Sequence, residues 1–309
     1  MTTIAATAAT LRRQATDGLR GFYLLCKPRV TALIVFTAAI GALLARRGLP
    51  PLEVLLPALG GIALASGSAA AFNCLLERKI DIVMARTCLR PLPSGQVSAG
   101  QALVFASLIG LAGLAILYVF VNPLTMWLTL LAFLGYAVIY TAFLKNTTPM
   151  NIVIGGVAGA MPPILGWAAV TGHLAREPLV LFAIIFTWTP PHFWALALYR
   201  RDEYATAGLP MLPVTHGERF TRLHILLYTI ILVATSLLPY ALGMSGLLYL
   251  AVAVVLGAGF LYRAVGLYRH YSDALAQRTF VYSIVYLSLL FAALLLDHYL
   301  LPGAGALTV

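Results

Sequence analysis

The sequence predicts an all-α fold, a polytopic membrane bundle of about nine transmembrane helices with a cytoplasmic N-terminus. Three observations carry that expectation. Hydrophobic residue types fill 61% of the 309 positions, and the mean hydropathy is +0.93. Charged residues fill only 10%, where a soluble domain carries about a quarter. The apolar residues also gather into stretches of roughly the 20 residues that cross a bilayer as a helix. A soluble enzyme is excluded, since so few polar residues cannot cover so much apolar surface. The ten-residue alternating segments of a membrane barrel are missing.

Span one, 30–45, lies between Lys27-Pro28-Arg29 and the break made by Arg46, Arg47 and Pro50-Pro51. Spans two and three occupy 54–76 and 98–119. Asn122-Pro123 divides span three from span four at 123–144, and Thr148-Pro149 opens span five at 150–171. Such Asn-Pro and Thr-Pro pairs are helix boundaries by their backbone chemistry. Span six runs 178–199. Spans seven, eight and nine take 222–243, 246–267 and 279–300, with Gly243-Met244-Ser245-Gly246 as the thin divider between seven and eight.

With the N-terminus inside, the inner segments hold seventeen of the 20 Lys and Arg residues, and the outer ones hold Arg46, Arg47 and Arg176. That is a positive-inside distribution. The net charge of +10 then follows from topology and attraction to anionic head groups, and no nucleic-acid partner is needed. Residues 1–29 read as a cytoplasmic tail. No apolar core precedes Lys27, which excludes a secretory signal, although the Ala/Thr/Arg bias of residues 1–20 is one that mitochondrial presequences share. Cys26, Cys74 and Cys88 lack metal-ligand spacing and read as reduced thiols. Residues 30–301 form one transmembrane domain. Four-helix halves at 30–144 and 150–267, plus a ninth helix, can be laid out within it.

Ten acidic residues are few enough to take singly. Asp17, Glu53, Glu177, Asp273 and Asp297 stand alone in the tail or near span ends, where a solvated position is expected. The other five fall in the two longest inner loops, 77–97 and 200–221: Glu77 and Asp81, then Asp202, Glu203 and Glu218. Asn73, Glu77 and Asp81 are spaced i, i+4, i+8 and so share one helix face. Like charges there repel, more so among apolar neighbours, and something positive must compensate. Either Mg²⁺ does so, since it takes amide and carboxylate oxygens and keeps other positions for water or phosphate, or the acids pair with Arg78, Lys79 or Arg86. Arg86 and Arg90 are placed either to fork around phosphate oxygens in a loop stiffened by Pro91 and Pro93 or simply as positive-inside arginines.

The run Tyr199-Arg200-Arg201-Asp202-Glu203-Tyr204 repeats the mixture of acids and bases, and ends in Pro210-Met211-Leu212-Pro213 much as the first loop ends in Arg90-Pro91-Leu92-Pro93. Two acidic sites facing one inner cavity would each hold a Mg²⁺ on a shared diphosphate. In span five, the Gly155-x-x-x-Gly159 spacing reads as close helix packing. In span six, His192 follows Pro190-Pro191. It either takes a carbonyl freed by the prolines or ligates or orients a large aromatic substrate. Tyr136, Tyr140, Trp188 and Trp194 either pack or offer π faces to a cationic intermediate.

These segments resemble the UbiA superfamily of intramembrane prenyltransferases, and within it the haem-modifying branch, from Lys27-Pro28-Arg29 to the last span. Asn73-x3-Glu77-x3-Asp81 running into Arg86-Thr87-x2-Arg90-Pro91-Leu92-Pro93-Ser94-Gly95 is the superfamily feature. Asn151 through Gly155-Gly156 to Pro162-Pro163 is a further shared segment. Thr189-Pro190-Pro191-His192-Phe193-Trp194 and Pro210-Met211-Leu212-Pro213 point to the haem branch. Glu77 stands where the superfamily commonly has Asp. Thr206 stands where its second motif commonly has a second Asp, and Asn146 replaces a basic residue often found after Lys145.

The resemblance implies transfer of farnesyl from farnesyl diphosphate to a vinyl group of haem b, with addition of water. It implies Mg²⁺ held by Asn73, Glu77, Asp81 and Asp202, with these first three joined by Arg86 and Arg90 in catalysis. Lys145, Tyr140, His192, Arg200, Arg201, Asp202 and Glu203 would contact the substrates. The implied setting is a bacterial inner membrane, with the lipid bilayer and a downstream haem-modifying membrane enzyme as partners. A quinone-type aromatic prenyltransferase keeps the diphosphate chemistry with another acceptor. An anion or metabolite transporter suits the basic face and broken helices, but transporters gather ionisable groups near the midplane, and here the acids lie at one end.

Overall fold

The computed structural model describes residues 18–83 and 87–300, and these fold as helices joined by turns. A short helix α1 (Gly18–Leu25) bends by 47° into α2 (Pro28–Leu44). There follow α3 (Leu52–Val83), α4 (Ala99–Phe120) and α5 (Pro123–Leu134), which continues as a π-helix over Gly135–Leu144. A turn, α6 (Lys145–Thr147), leads to α7 (Asn151–Ala160), α8 (Pro162–Thr171) and α9 (Glu177–Tyr199). Two short helices, α10 (Arg201–Thr206) and α11 (Leu212–Thr215), form the second long loop. The rest is α12 (Gly217–Ser236), α13 (Leu238–Ala241), α14 (Leu247–Arg269) and α15 (Asp273–Leu300).

Among the described residues eight helices are long and apolar enough to cross a membrane, and nine if the bent α1–α2 pair counts as one span. The chain is an integral membrane helix bundle, as its composition and periodicity predict. The ends carry ordinary stop and start chemistry. Ser98 and Gln101 form a reciprocal capping box on α4. The Asn122 side chain accepts from Thr125 N, with Pro123 at the first helical position of α5.

Three spans differ from those the sequence predicts. Helix α3 does not stop near residue 76 but runs to Val83, so Asn73, Glu77 and Asp81 ride on one unbroken rod. Span four changes to π geometry in its second half. Span five is two helices, because Pro162 cannot donate to the preceding turn and Met161 both closes α7 and opens α8.

Small residues set the packing. Cβ atoms added at Gly41 and Gly166 would lie 2.2 Å from the Pro163 carbonyl oxygen and 1.8 Å from that of Ala38, so α2 and α8 touch backbone to backbone. Of the pair Gly155 and Gly159, only the first makes such an approach: a side chain there would strike the Tyr140 ring, whereas Gly159 faces open space. The largest core joins α9, α12, α14 and α15 through Trp188, Tyr249, Phe260, Tyr286 and Phe291.

A second core binds Trp194, Leu198, Tyr204, Met211 and Leu267, and Ile80 of α3 packs against it. That contact puts the end of α3 and the 200–216 loop at the same end of the bundle. Asp297 departs from the expectation of a solvated acid. It is 2% exposed and accepts from Gly246 N at 2.5 Å and Tyr249 N at 3.2 Å. Its carboxylate thus caps the N-terminus of α14 from the neighbouring helix.

Candidate active site

At the C-terminal end of α3, three residues of one helix face are buried together. Asn73 and Asp81 are 2% exposed and Glu77 is 6%, while Arg78 and Lys79 between them are exposed. Burying two carboxylates requires cations, and they arrive from far along the chain rather than from Arg78 or Lys79. Lys145 Nζ lies 2.5 Å from Glu77 Oε1. Arg90 Nη1 lies 2.9 and 2.8 Å from the two oxygens of Asp81. Lys27 Nζ donates to Asn73 Oδ1. The Asn73 amide nitrogen closes the group, donating to Glu77 Oε1 at 2.7 Å and to Thr141 Oγ1 at 3.2 Å. Arg86 lies outside the described residues.

Two local distortions deliver these cations. Lys27 sits in the left-handed region (φ 47°, ψ 62°), the one positive-φ residue other than glycine among those described. That conformation costs a side-chain-bearing residue roughly 1–2 kcal/mol, and it is held at the α1–α2 bend with the ammonium on Asn73. The second distortion is the π-helix. In an α-helix Tyr136 and Lys145, nine residues apart, would lie on opposite faces. The wider i→i+5 turn brings Tyr136, Thr141 and Lys145 to one side, which is the kind of place such segments recur. Thr141 Oγ1 donates to the Tyr136 carbonyl five residues back at 2.9 Å, and Lys145 N donates to the Tyr140 carbonyl. The rings of Tyr136 and Tyr140 stack, centroids 5.7 Å apart.

The second loop is arranged differently. Arg200 donates to Glu203, and this hydrogen bond raises the pKa of the guanidinium. Arg201 Nη1 meets Glu218 Oε1 at 2.8 Å. Asp202 is exposed, and its backbone carbonyl accepts from the Thr206 hydroxyl at 2.8 Å. These residues, with Tyr271 and Asp273, line a cleft of about 520 Å³. Burial, helped by the Asp273 carboxylate, raises the Tyr271 pKa and keeps the phenol protonated. Among the described residues no three His, Cys, Asp or Glu side chains converge as an ion site. Asp202 and Glu203 are therefore not gathered with Glu77 and Asp81 into one cluster.

His192 is 8% exposed on α9, and its Nδ1 lies 2.7 Å from Ser283 Oγ of α15. The prolines do not satisfy it with a freed carbonyl. Trp188 stacks on it, while Trp194 is fully buried against Tyr228 and His224. In the sequence Lys27 reads as an inner-face charge within Lys27-Pro28-Arg29, and nothing there marks Thr141 or Ser283. The Lys27-Pro28 pair was a visible signal for a bend, but nothing local points a side chain at a residue 46 positions away.

The sequence profile of the UbiA prenyltransferase family matches residues 34–296. The chain is 61% identical over 295 residues to a protoheme IX farnesyltransferase of Nitrosospira multiformis, covering 96% of this chain and 99% of that protein. It is 63% identical over 278 residues to a protoheme IX farnesyltransferase of Thiobacillus denitrificans, covering 90% and 93%. Its fold is similar to that of a digeranylgeranylglyceryl phosphate synthase, with TM-score 0.79, 18% identity, and 92% and 100% of the two chains covered. It is also similar to that of a UbiA homologue from Archaeoglobus fulgidus bound to DMAPP and Mg²⁺, with TM-score 0.59, 14% identity, and coverage of 88% and 98%. With the profile spanning most of the bundle and relatives of this identity matching nearly end to end, the chain belongs to the UbiA prenyltransferase family.

Proposed function

We propose that this chain transfers the farnesyl group of farnesyl diphosphate to a vinyl carbon of protohaem IX, at the cytoplasmic end of a bacterial inner-membrane bundle. The observation that carries the diphosphate half is the group of two buried carboxylates and three half-buried cations. Glu77 and Asp81 are outnumbered by Lys27, Lys145 and Arg90, which leaves positive charge for an anion. The acceptor half rests on the relatives above and on the aromatic wall around His192.

The donor set fits a hard divalent ion. Asn73, Glu77 and Asp81 offer amide and carboxylate oxygens, and Mg²⁺ uses one or two carboxylates together with substrate phosphates. Bound by these residues, Mg²⁺ supplies Lewis-acid stabilisation to the charge that develops on the departing diphosphate. Asp202 joins only if substrate draws the second loop over the first.

The chain's own residues do the rest. Lys27, Lys145 and Arg90 bind phosphate oxygens by charge-assisted hydrogen bonds. Tyr136 and Tyr140 turn π faces to the allylic cation. The apolar helices keep water from it until the vinyl group attacks; water then adds to the carbocation left on the other vinyl carbon and a proton is released, which gives the hydroxyethylfarnesyl side chain. His192 orients the acceptor, Arg200 and Arg201 edge its entrance, and the product passes to a membrane enzyme that modifies haem further. Incubating purified protein with farnesyl diphosphate, Mg²⁺ and either haem b or a quinone precursor tests the proposal. Mass spectrometry should find a hydroxyethylfarnesyl porphyrin, and a prenylated quinone precursor alone would overturn the acceptor assignment.

A further inference from the structure

We infer that Ser283 is a positioning residue for the acceptor, fixing the tautomer of His192 so that Nε2 presents its lone pair to the porphyrin iron. This rests on the haem reading above and adds to it the residue through which His192 acts.

One proton decides the tautomer. Ser283 Oγ lies 2.6 Å from the Phe280 carbonyl oxygen and 2.7 Å from His192 Nδ1. A carbonyl oxygen only accepts, so the single hydroxyl hydrogen goes to Phe280. The hydroxyl then meets the imidazole with a lone pair, and Nδ1 must carry the hydrogen. In that neutral tautomer the lone pair of the ring is on Nε2. No hydrogen-bond partner of Nε2 is found among the described residues.

The ring cannot turn to exchange its nitrogens without breaking this bond and two aromatic contacts. Trp188 stacks on one face at 4.2 Å and 19°, and Phe280 stacks on it at 4.5 Å and 26°. Phe193 meets it edge-on at 5.0 Å. Trp188 Nε1 also donates to the Ser283 carbonyl at 2.7 Å, which fixes the height of α15 against α9. One nitrogen held by an outer partner and the other offered is how protein histidines are prepared for a metal. Ligation here forms one dative bond from Nε2 to the iron, with no proton or electron moved.

The test titrates ferric haem b into the full-length protein in nanodiscs without prenyl donor, following the Soret band. The wild-type protein is expected to give a histidine-ligated spectrum, and His192→Ala to lose it. Ser283→Ala should keep its helical circular dichroism and its binding of farnesyl diphosphate with Mg²⁺. It should bind haem about 10- to 100-fold more weakly, and Ser283→Thr, which keeps the hydroxyl, should restore both affinity and spectrum. Wild-type affinity and spectrum in Ser283→Ala, with His192→Ala defective, would overturn the role of Ser283 and leave the haem reading standing. An unchanged spectrum in His192→Ala would overturn the ligand assignment, and no haem binding by the wild-type protein would overturn the reading beneath it.

Discussion

Asp81, 2% exposed, holds the partly exposed Arg90 by both carboxylate oxygens. Removing Asp81 takes away both the carboxylate that orients Arg90 and one of the oxygens offered to Mg²⁺. Asp81→Ala should therefore lose at least about 100-fold in product formation, while the protein still inserts in membranes and binds detergent as a monodisperse species. Full turnover in that variant would remove the diphosphate site. Lys27 permits a sharper comparison, because its backbone and its ammonium can be separated. Lys27→Gly keeps the φ of 47° at no steric cost and Lys27→Met keeps the bulk. Both should raise KM for farnesyl diphosphate by about tenfold, the loss of one charge-assisted contact of roughly 1.5 kcal/mol. A normal KM in Lys27→Gly would show that only the bend matters. At this scale the face shared by Asn73, Glu77 and Asp81 was legible, because four-residue spacing is a local property. The partners were not: Lys27 meets Asn73 from 46 positions away, and Lys145 meets Glu77 from 68.

Among the elements, the π-helix Gly135–Leu144 determines where Lys145 points. Deleting one residue from it, such as Val138, should restore α geometry and rotate Lys145 by about 100° relative to Tyr136. Loss of prenyl transfer with retained expression is expected, and reinsertion of an alanine at the same point should return most of it. Nothing in Gly-Tyr-Ala-Val-Ile-Tyr-Thr marks a π turn, since residue propensities do not separate it from an apolar α-helix; only the tertiary pull of Glu77 and Asn73 does. Asp297 makes the same point about context. Its place near a span end was legible and its burial was not, because its partners are two backbone amides of α14. Asp297→Ala would leave those donors unpaired, at about 1–3 kcal/mol. A fall in thermal midpoint without change in KM is the expected result.

Across the whole molecule, about nine crossings follow from length and hydropathy, and among the described residues eight helices, or nine with the bent α1–α2 pair, are long and apolar enough to make them. The gathering of both loops at one end follows from span parity, and the packing of Ile80 on the Leu198–Met211 core agrees. Single cysteines at the exposed positions Lys79 and Asp202, in a protein whose native cysteines are replaced, should both react with an impermeant reagent from the cytoplasmic side. A cysteine at Glu53 should react from the other side. Labelling of positions 79 and 202 from opposite faces would separate the loops and end the shared-site proposal.

The contact between α2 and α8 has a bearing on how the bundle is assembled. Gly41 rests on Pro163 and Gly166 on Ala38 with no room for a single methyl group, so the two helices cannot slide past one another. Lys27 hangs from the N-terminal end of α2, and its reach to Asn73 is thereby gauged in part by a helix that the ribosome makes more than a hundred residues later. Leu25 and Cys26 already pack on α3 beside the acids, but until α8 has docked the nascent chain lacks the backbone stop that fixes α2 along its axis. A chain severed between α6 and α7 would accordingly carry all the named groups of the cluster on its first piece and still bind diphosphate poorly until the second piece joined it.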